Sequence, residues 1–418
     1  MTEASTDLQA SKFVARQPIL GERADLFGYE LLFRAGRENR CEAVNLDMAT
    51  SSVLDTALLL GLEKLTGGRR AFVNCTRDSL INNSASLLPR EQVVVEILES
   101  SEPDEELLNA CRRLKQQGYS LALDDFVDTP AWEPFVALAD FIKVDFRLTP
   151  RAEQEALAER YRSRGIRMLA EKVETQEEFR EAKRMGYSLF QGYFFCRPEL
   201  MEQRTIPASK LAYLELLQAA LEPELDTAGL ALKIKREPSL TFRLLRYLNS
   251  AFFGLLSGVR SVQHAVTLLG EREMRKWIAV VCVAVLGDGK PDELITLPLI
   301  RGRFCELLAP LTGLAVEAND LFLLGLLSVM DAVLNQPLEV VMADLPVRQQ
   351  IKDALLSRSG SYRTVLELAI AQERADWGSL TTIASGMGLE ETRIPELYVS
   401  AVDWAAVLRR GMGAAQEG

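Results

Sequence analysis

The spacing of hydrophobic and polar positions changes once along the chain, near residue 200. Between residues 12 and 195, short apolar or β-branched runs alternate with turns and with longer amphipathic stretches, in a unit of roughly 20 to 45 residues. Runs of that length bounded by turn residues read as buried strands, and strand alternating with helix implies a parallel sheet. The predicted strands are Phe13–Arg16, Gly28–Phe33, Ala71–Asn74, Val93–Ile97, Ser120–Leu123, Phe141–Val144, Arg167–Ala170 and Leu189–Phe194. Predicted helices fill Asn45–Leu60, Asp104–Gln117, Ala152–Arg164 and Gln176–Met185, the last opening on Thr175 with Glu178 three residues on, the pattern of a capping box.

Beyond Arg197-Pro-Glu the alternation stops, and from about Ser209 the period is helical. Helices are predicted at Asp226–Arg236, from Ser239 through Asn249, and at Ser261–Leu269, Arg272–Leu286, Leu297–Leu311, Ala318–Asn335, Val347–Leu356, Tyr362–Trp377 and Pro395–Arg410. At 418 residues the chain is too long for one ordinary core. The two patterns divide it into an α/β domain, residues 1–204, and an all-α domain, residues 205–418. The α/β half suits a (β/α) barrel of TIM type, in which side chains at the carboxyl ends of successive strands meet on one face.

Seven segments place an oxygen ligand or a charge at that level. Glu30 lies in the second strand, Asn74 ends the third, Glu96 nears the end of the fourth, and Asp124 with Asp125 closes the fifth. Lys143 follows in the sixth, Glu171 ends the seventh, and Gln191 sits in the eighth. Adjacent carboxylates repel and raise each other's pKa, so such a set calls for a cation.

Composition narrows the chemistry. A hydrophobic share of 48% and a charged share of 26% are those of a globular protein. The net charge of -11 speaks against a sequence-independent nucleic-acid surface. The N-terminus lacks the pattern of a signal peptide, and the longest uncharged apolar run, Trp277–Gly287, is about half of what a bilayer requires. The six cysteines are far apart with no Cys-x-x-Cys, which suits reduced thiols and a cytoplasmic location. His264 is the only histidine, and it is expected to pack within its helix. Its solitude excludes His-based triads and His-rich zinc sites within one chain, so a metal here must be a hard cation held by oxygen.

Several segments together resemble a known family. Ala15-Arg-Gln-Pro-Ile-Leu, Gly28-Tyr-Glu-Leu-Leu-Phe-Arg34, Phe72-Val-Asn74, Val95-Glu96-Ile-Leu-Glu99, Leu123-Asp-Asp-Phe126, Ile142-Lys-Val-Asp145, Ala170-Glu-Lys-Val-Glu-Thr175 and Gln191-Gly-Tyr are similar to the ordered motifs of EAL-domain cyclic di-GMP phosphodiesterases, and they cover nearly all of residues 12 to 200. The resemblance implies that Glu30, Asn74, Glu96 and Asp124 hold one Mg²⁺ or Mn²⁺ ion, and Asp124 with Asp125 a second. It implies that Lys143 positions water or phosphate, Glu171 orients or deprotonates the attacking water, Gln191 supports it, and Arg34 and Gln17 contact the ligand. Asp145 is expected to support Lys143. Two departures stand out: Lys172 follows Glu171 where a glycine is usual, and Asp125-Phe-Val-Asp-Thr-Pro-Ala-Trp-Glu-Pro134 replaces a Gly-rich loop that in the family organises the second metal and a dimer contact. Such departures mark a divergent EAL subgroup fused to a helical domain.

In the second half, Arg236–Gly254 and Val262–Gly270 resemble the HDOD domain, a helical relative of HD hydrolases. Leu327-Ser-Val-Met-Asp331 stands where those hydrolases carry a metal-binding His-Asp doublet. The resemblance implies a signalling protein that binds cyclic di-GMP with a divalent metal, hydrolyses it if the altered loop permits, and meets a protein partner through the HDOD half. A homodimer is left open, and no nucleic acid or membrane is expected. The competing reading is a protein-interaction scaffold that has lost nucleotide binding.

Overall fold

The computed structural model describes residues 12–35, 62–198, 208–237, 239–242, 244, 259 and 261–413. The expected helix Asn45–Leu60 and most of the run from Thr241 to Asn249 lie outside the described residues, as does the side chain of Arg34.

By packing, the chain forms two compact units, one of Met1–Tyr193 with Ala371–Val399 and one of Phe194–Ile370 with Ser400–Gly418. In the first, eight strands close a barrel in sequence order: β1 Lys12–Gly21, β2 Leu26–Ala35, β3 Arg70–Cys75, β4 Val93–Ile97, β5 Ser120–Leu123, β6 Phe141–Asp145, β7 Arg167–Glu171 and β8 Leu189–Gln191. Helices α1 Leu62–Thr66, α2 Arg77–Ile81, α3 Glu105–Gln116, α4 Glu133–Val136, α5 Arg151–Arg162 and α6 Gln176–Met185 fall between the strands. The capping box at Thr175 and Glu178 is formed, and Gly186 ends α6 in the left-handed region.

The sheet is not wholly parallel. Strand β1 runs antiparallel to both β2 and β8, while the remaining pairs are parallel. The cause is length: Glu22–Asp25 is a tight turn, closed by Gly21 N–H to Asp25 O and Ala24 N–H to Gly21 O, whereas a parallel return needs a crossover of about a dozen residues.

One buried layer fills the barrel: Ile19, Phe72, Val94, Ala122, Phe141, Leu169 and Leu189, with Phe27 packed against it. It sets the site, because strand side chains repeat every two residues. Two positions beyond Phe72, Val94, Ala122, Phe141, Leu169 and Leu189 stand Asn74, Glu96, Asp124, Lys143, Glu171 and Gln191. On reversed β1 the count runs backwards, from Ile19 to Gln17, which pairs with Glu30.

The second unit is helical throughout its described residues. It carries α7 Ala208–Leu221, α8 Thr227–Arg236, α9 Val262–Leu286, α10 Asp292–Leu308, α11 Ala318–Leu327, α12 Met330–Leu334, α13 Leu338–Asp344, α14 Gln349–Lys352 with a π turn at Asp353–Ser357, α15 Ser361–Glu373 and α17 Ile394–Gly413; α16 Trp377–Gly386 belongs to the barrel unit, and the ends of α15 and α17 cross the division. The backbone leaves the helix at Gly270 (φ 69°, ψ 173°), so α9 is two helices meeting where a glycine between apolar runs predicts a break. Gly302 of α10 and Gly325 of α11 let these helices touch: a Cβ built on Gly325 would lie 2.6 Å from Gly302 Cα. Contrary to expectation, His264 is exposed; its N–H bonds the Ser261 hydroxyl that caps the helix.

Candidate functional site

The six side chains one level above the buried layer, with Glu30 and Gln17, meet at the carboxyl ends of the parallel strands. Lys143 occupies the centre and is fully buried. Its Nζ lies 2.7 Å from Glu96 Oε1, 2.7 Å from Asp124 Oδ1, 3.0 Å from Glu171 Oε1 and 3.5 Å from Glu30 Oε1. Glu30 is held from two more sides: Asn74 Nδ2 donates to its Oε1 (2.8 Å) and Gln191 Nε2 to its Oε2 (2.6 Å). The Gln191 amide also donates to Gln17 Oε1 at 2.8 Å, joining β1 to the cluster.

Four carboxylates face one ammonium here, so the buried charge is not balanced. Burial holds the carboxyls of Glu96 and Glu171 well above their usual range and that of Asp124 above it, against the pull of Lys143. At Glu30, burial is outweighed by Lys143 together with the Gln191 and Asn74 bonds, and the carboxyl is held below its usual range. Burial opposes the Lys143 charge, but the four carboxylates hold it well above the ordinary lysine range.

No group of three or more His, Cys, Asp or Glu side chains among the described residues stands ready to hold a metal ion, and the Lys143 ammonium lies between the carboxylates. The donor set nevertheless fits a hard divalent cation. It is all oxygen, and Asn74 Oδ1, Glu96 Oε2, Glu171 Oε2 and Asp125 Oδ1 are buried without a hydrogen-bond partner. Gln191 Oε1 is unsatisfied as well, and so many unbonded oxygens at one barrel end cost a fold stability; a cation is the group that would satisfy carboxylate and amide oxygens together.

Asp125 follows at φ 39°, a left-handed conformation that Asp tolerates, with Phe126 N–H on Lys143 O. The divergent loop then turns outward onto α5. Asp128 accepts from Arg160 Nη1 (2.5 Å) and from the Tyr161 hydroxyl (2.7 Å), Glu133 from Arg164 (2.5 Å), and Phe126 packs edge-on against Tyr161. Asp145, expected to support Lys143, instead accepts from Arg147 N–H, Leu148 N–H and the Lys172 ammonium. Lys172 sits at φ 56°, which explains why a glycine suits that position. Gly192, beside Gln191, is constrained further: at φ 140° its Cβ would fall 2.0 Å from Val173 O. Glu99 and Glu174 are exposed and outside the cluster.

A model of the EAL domain family matches residues 63–198, and a model of the HDOD domain family matches 206–348. A curated relative, cyclic di-GMP phosphodiesterase CdgJ of Vibrio cholerae, is 34% identical over 408 residues, 97% of this chain and 94% of that protein. The chain belongs to the EAL–HDOD family. Protein YuxH of Bacillus subtilis is 35% identical over 94% of this chain and 97% of its own. Among solved structures, an EAL domain protein of Listeria monocytogenes covers 47% of this chain and 93% of its own at 21% identity, TM-score 0.37. Klebsiella pneumoniae BlrP1 with calcium and cyclic di-GMP covers 47% and 58% at 23% identity, TM-score 0.37. The EAL match begins after β1 and β2, yet the barrel closes through those strands and brings Glu30 and Gln17 to the cluster. No described helix is long and apolar enough to cross a membrane.

One contact was not legible in the sequence. The Gln17 side-chain amide donates to the main-chain carbonyl of Arg374 (3.2 Å), some 357 positions away, in the segment that groups with the barrel.

Proposed function

We propose that the barrel mouth binds cyclic di-GMP with Mg²⁺ or Mn²⁺ and hydrolyses one of its phosphodiester bonds to give the linear dinucleotide. The observation that carries this is the ring of Glu30, Glu96, Asp124 and Glu171 around Lys143, with buried oxygens left unbonded, in a chain 34% identical along nearly its whole length to a cyclic di-GMP phosphodiesterase. Glu30, Asn74, Glu96 and Asp124 would hold one cation, and Asp124 with Asp125 a second. Bound divalent ions supply an acidified water and neutralise charge developing on the phosphate.

The chain's own residues account for the remaining needs. Glu171, its carboxyl held above the usual range by burial, is a stronger base than an exposed carboxylate and is suited to take the proton of the attacking water. Lys143 keeps its charge over the working pH range and offers it to a non-bridging phosphate oxygen. Gln191 fixes the orientation of Glu30, and Gln17 and Arg34 serve the ligand. The loop from Val127 to Pro134 is tied to α5, and the strand-borne donors do not depend on it.

The helical unit, without a His-Asp doublet, serves as the module for a protein partner. The thiols of Cys75, Cys111 and Cys282 are buried and unbridged, in keeping with a cytoplasmic location. Purified protein with Mn²⁺ should convert cyclic di-GMP to the linear dinucleotide, and Glu30→Ala should lower the rate at least about a hundredfold. Calorimetric binding with no linear product would leave a ligand-binding effector, and absence of both would leave the scaffold.

A further inference from the structure

We propose that the segment Gln372–Arg374, which lies beyond the HDOD match, forms part of the ligand pocket of the barrel, and that Arg374 selects a guanine base there. This rests on the reading of the mouth as a cyclic di-GMP site. Three contacts carry it. Gln372 is fully buried, and its side-chain amide donates to Val14 O of β1 at 2.8 Å, pinning the segment to the strand that carries Gln17. The Arg374 carbonyl accepts from Gln17 Nε2 at 3.2 Å, while Gln17 Oε1 accepts from Gln191 at 2.8 Å. The Arg374 guanidinium stacks over the ring of Tyr193, 4.9 Å from its centroid and two residues past Gln191.

The first two contacts settle the orientation of Gln17. Its oxygen is committed to Gln191 and one of its two N–H groups to Arg374, so a single donor remains for a ligand. Arg374 is thereby a positioning residue through its main chain.

Its side chain has a second use. Arg374 is two side-chain amides removed from the Glu30 carboxylate, farther out than the phosphate-bearing centre. A nucleotide whose phosphate sat at the centre would extend its base outward in the same way. A guanidinium held over an aromatic ring can still present its planar fork of donors to a ligand. Guanine offers O6 and N7 as two acceptors to such a fork; adenine offers N7 beside an amino donor, which a guanidinium cannot satisfy. The exposed Arg374 side chain makes no buried contact that would have to be given up.

The test compares calorimetric binding of cyclic di-GMP and cyclic di-AMP to the full chain with Ca²⁺, for the wild type, Arg374→Ala and Arg374→Lys. The wild type should prefer cyclic di-GMP. Arg374→Ala retains the carbonyl that holds Gln17, and should lose roughly ten- to a hundredfold in affinity for cyclic di-GMP with little change for cyclic di-AMP. Lysine, which keeps the charge without the fork, should not restore the preference. An unchanged thermal midpoint in Arg374→Ala would exclude misfolding as the cause. Gln372→Leu, which frees the segment from β1, should also weaken cyclic di-GMP binding. Wild-type protein that binds neither dinucleotide would remove the underlying site reading. Wild-type preference retained in Arg374→Ala would overturn this inference alone.

Discussion

Replacing Lys143 by methionine keeps most of the side-chain volume and removes the one cation that touches all four carboxylates. Breaking a buried ion pair by deleting one partner typically costs 3–5 kcal/mol, because an uncompensated charge remains. Here the carboxyls can instead take up protons, which makes the loss depend on pH. Glu96, Asp124 and Glu171 already have folded pKa values above their ordinary ones, so the folded state binds more protons than the unfolded state in the window above the ordinary carboxylate range. Their contribution is therefore fully present below the unfolded pKa and is lost as pH rises through the folded values. Lys143 has a raised folded pKa, so its own contribution stays constant until the pH passes the ordinary lysine range. In metal-free buffer Lys143→Met should lie close to the wild type near pH 5. The deficit should widen by about 1.4 kcal/mol per pH unit for each additional retained proton, to about 3–5 kcal/mol by pH 8. Urea unfolding at four pH values in EDTA, repeated with excess Mg²⁺, measures this. Mg²⁺ should restore more stability at pH 8 than at pH 5. A deficit equal at both pH values and indifferent to Mg²⁺ would refute the electrostatic account and leave packing as the cause.

Two further substitutions test a close backbone approach in each unit. Gly192→Ala places a Cβ 2.0 Å from Val173 O at φ 140°, so it should destabilise by about 2–4 kcal/mol in a denaturant titration and displace Gln191, lowering metal affinity as well. Gly325→Ala drives α11 off α10 at Gly302 and should cost about 1–3 kcal/mol while leaving nucleotide binding by the barrel unchanged.

The barrel was legible because most of its strands are short, largely apolar and bounded by turns, and because the donors follow the buried layer at the two-residue period of a strand. Asn74, Glu96, Asp124, Lys143, Glu171 and Gln191 each stand two places after a buried apolar residue, a rule that needs no coordinates. The direction of β1 was less visible: the short turn at Glu22–Asp25 signalled a hairpin, but the βα alternation elsewhere dominated the reading. In the helical unit the expected single helix from Ala318 to Asn335 breaks at Ser328–Val329, and the expected start of α10 at Leu297 falls at Asp292 because Pro298 is accommodated inside a buried helix. Helices buried nearly all round carry no single stripe from which to read an end. Asp145 was misassigned because its register on β6 matches that of Lys143, whereas β6 ends there and the carboxylate turns to the following N–H groups.

The altered loop after Asp125 bears on turnover in a specific way. A Gly-rich path would be free to follow the ligand; this one is fastened through Asp128 to Arg160 and Tyr161 and through Glu133 to Arg164. Those contacts lie at the loop's far side, and the Asp124 main chain is fixed independently, its N–H on Ile97 O and the Phe126 N–H on Lys143 O. Both aspartates are thus set by the strands rather than by the loop. A rigid loop removes a moving part without removing a donor, so its effect should fall on ligand entry and release, and the metal-binding geometry should be unaffected. Asp128→Ala frees the loop by removing a half-buried carboxylate, whose ion pair with Arg160 is worth at most about 1 kcal/mol and whose bond from the Tyr161 hydroxyl adds about 0.5–1.5 kcal/mol. It should change kcat with cyclic di-GMP while the Mn²⁺ concentration for half-maximal activity stays fixed; a shift in the Mn²⁺ requirement would mean that the loop does help to build the metal site.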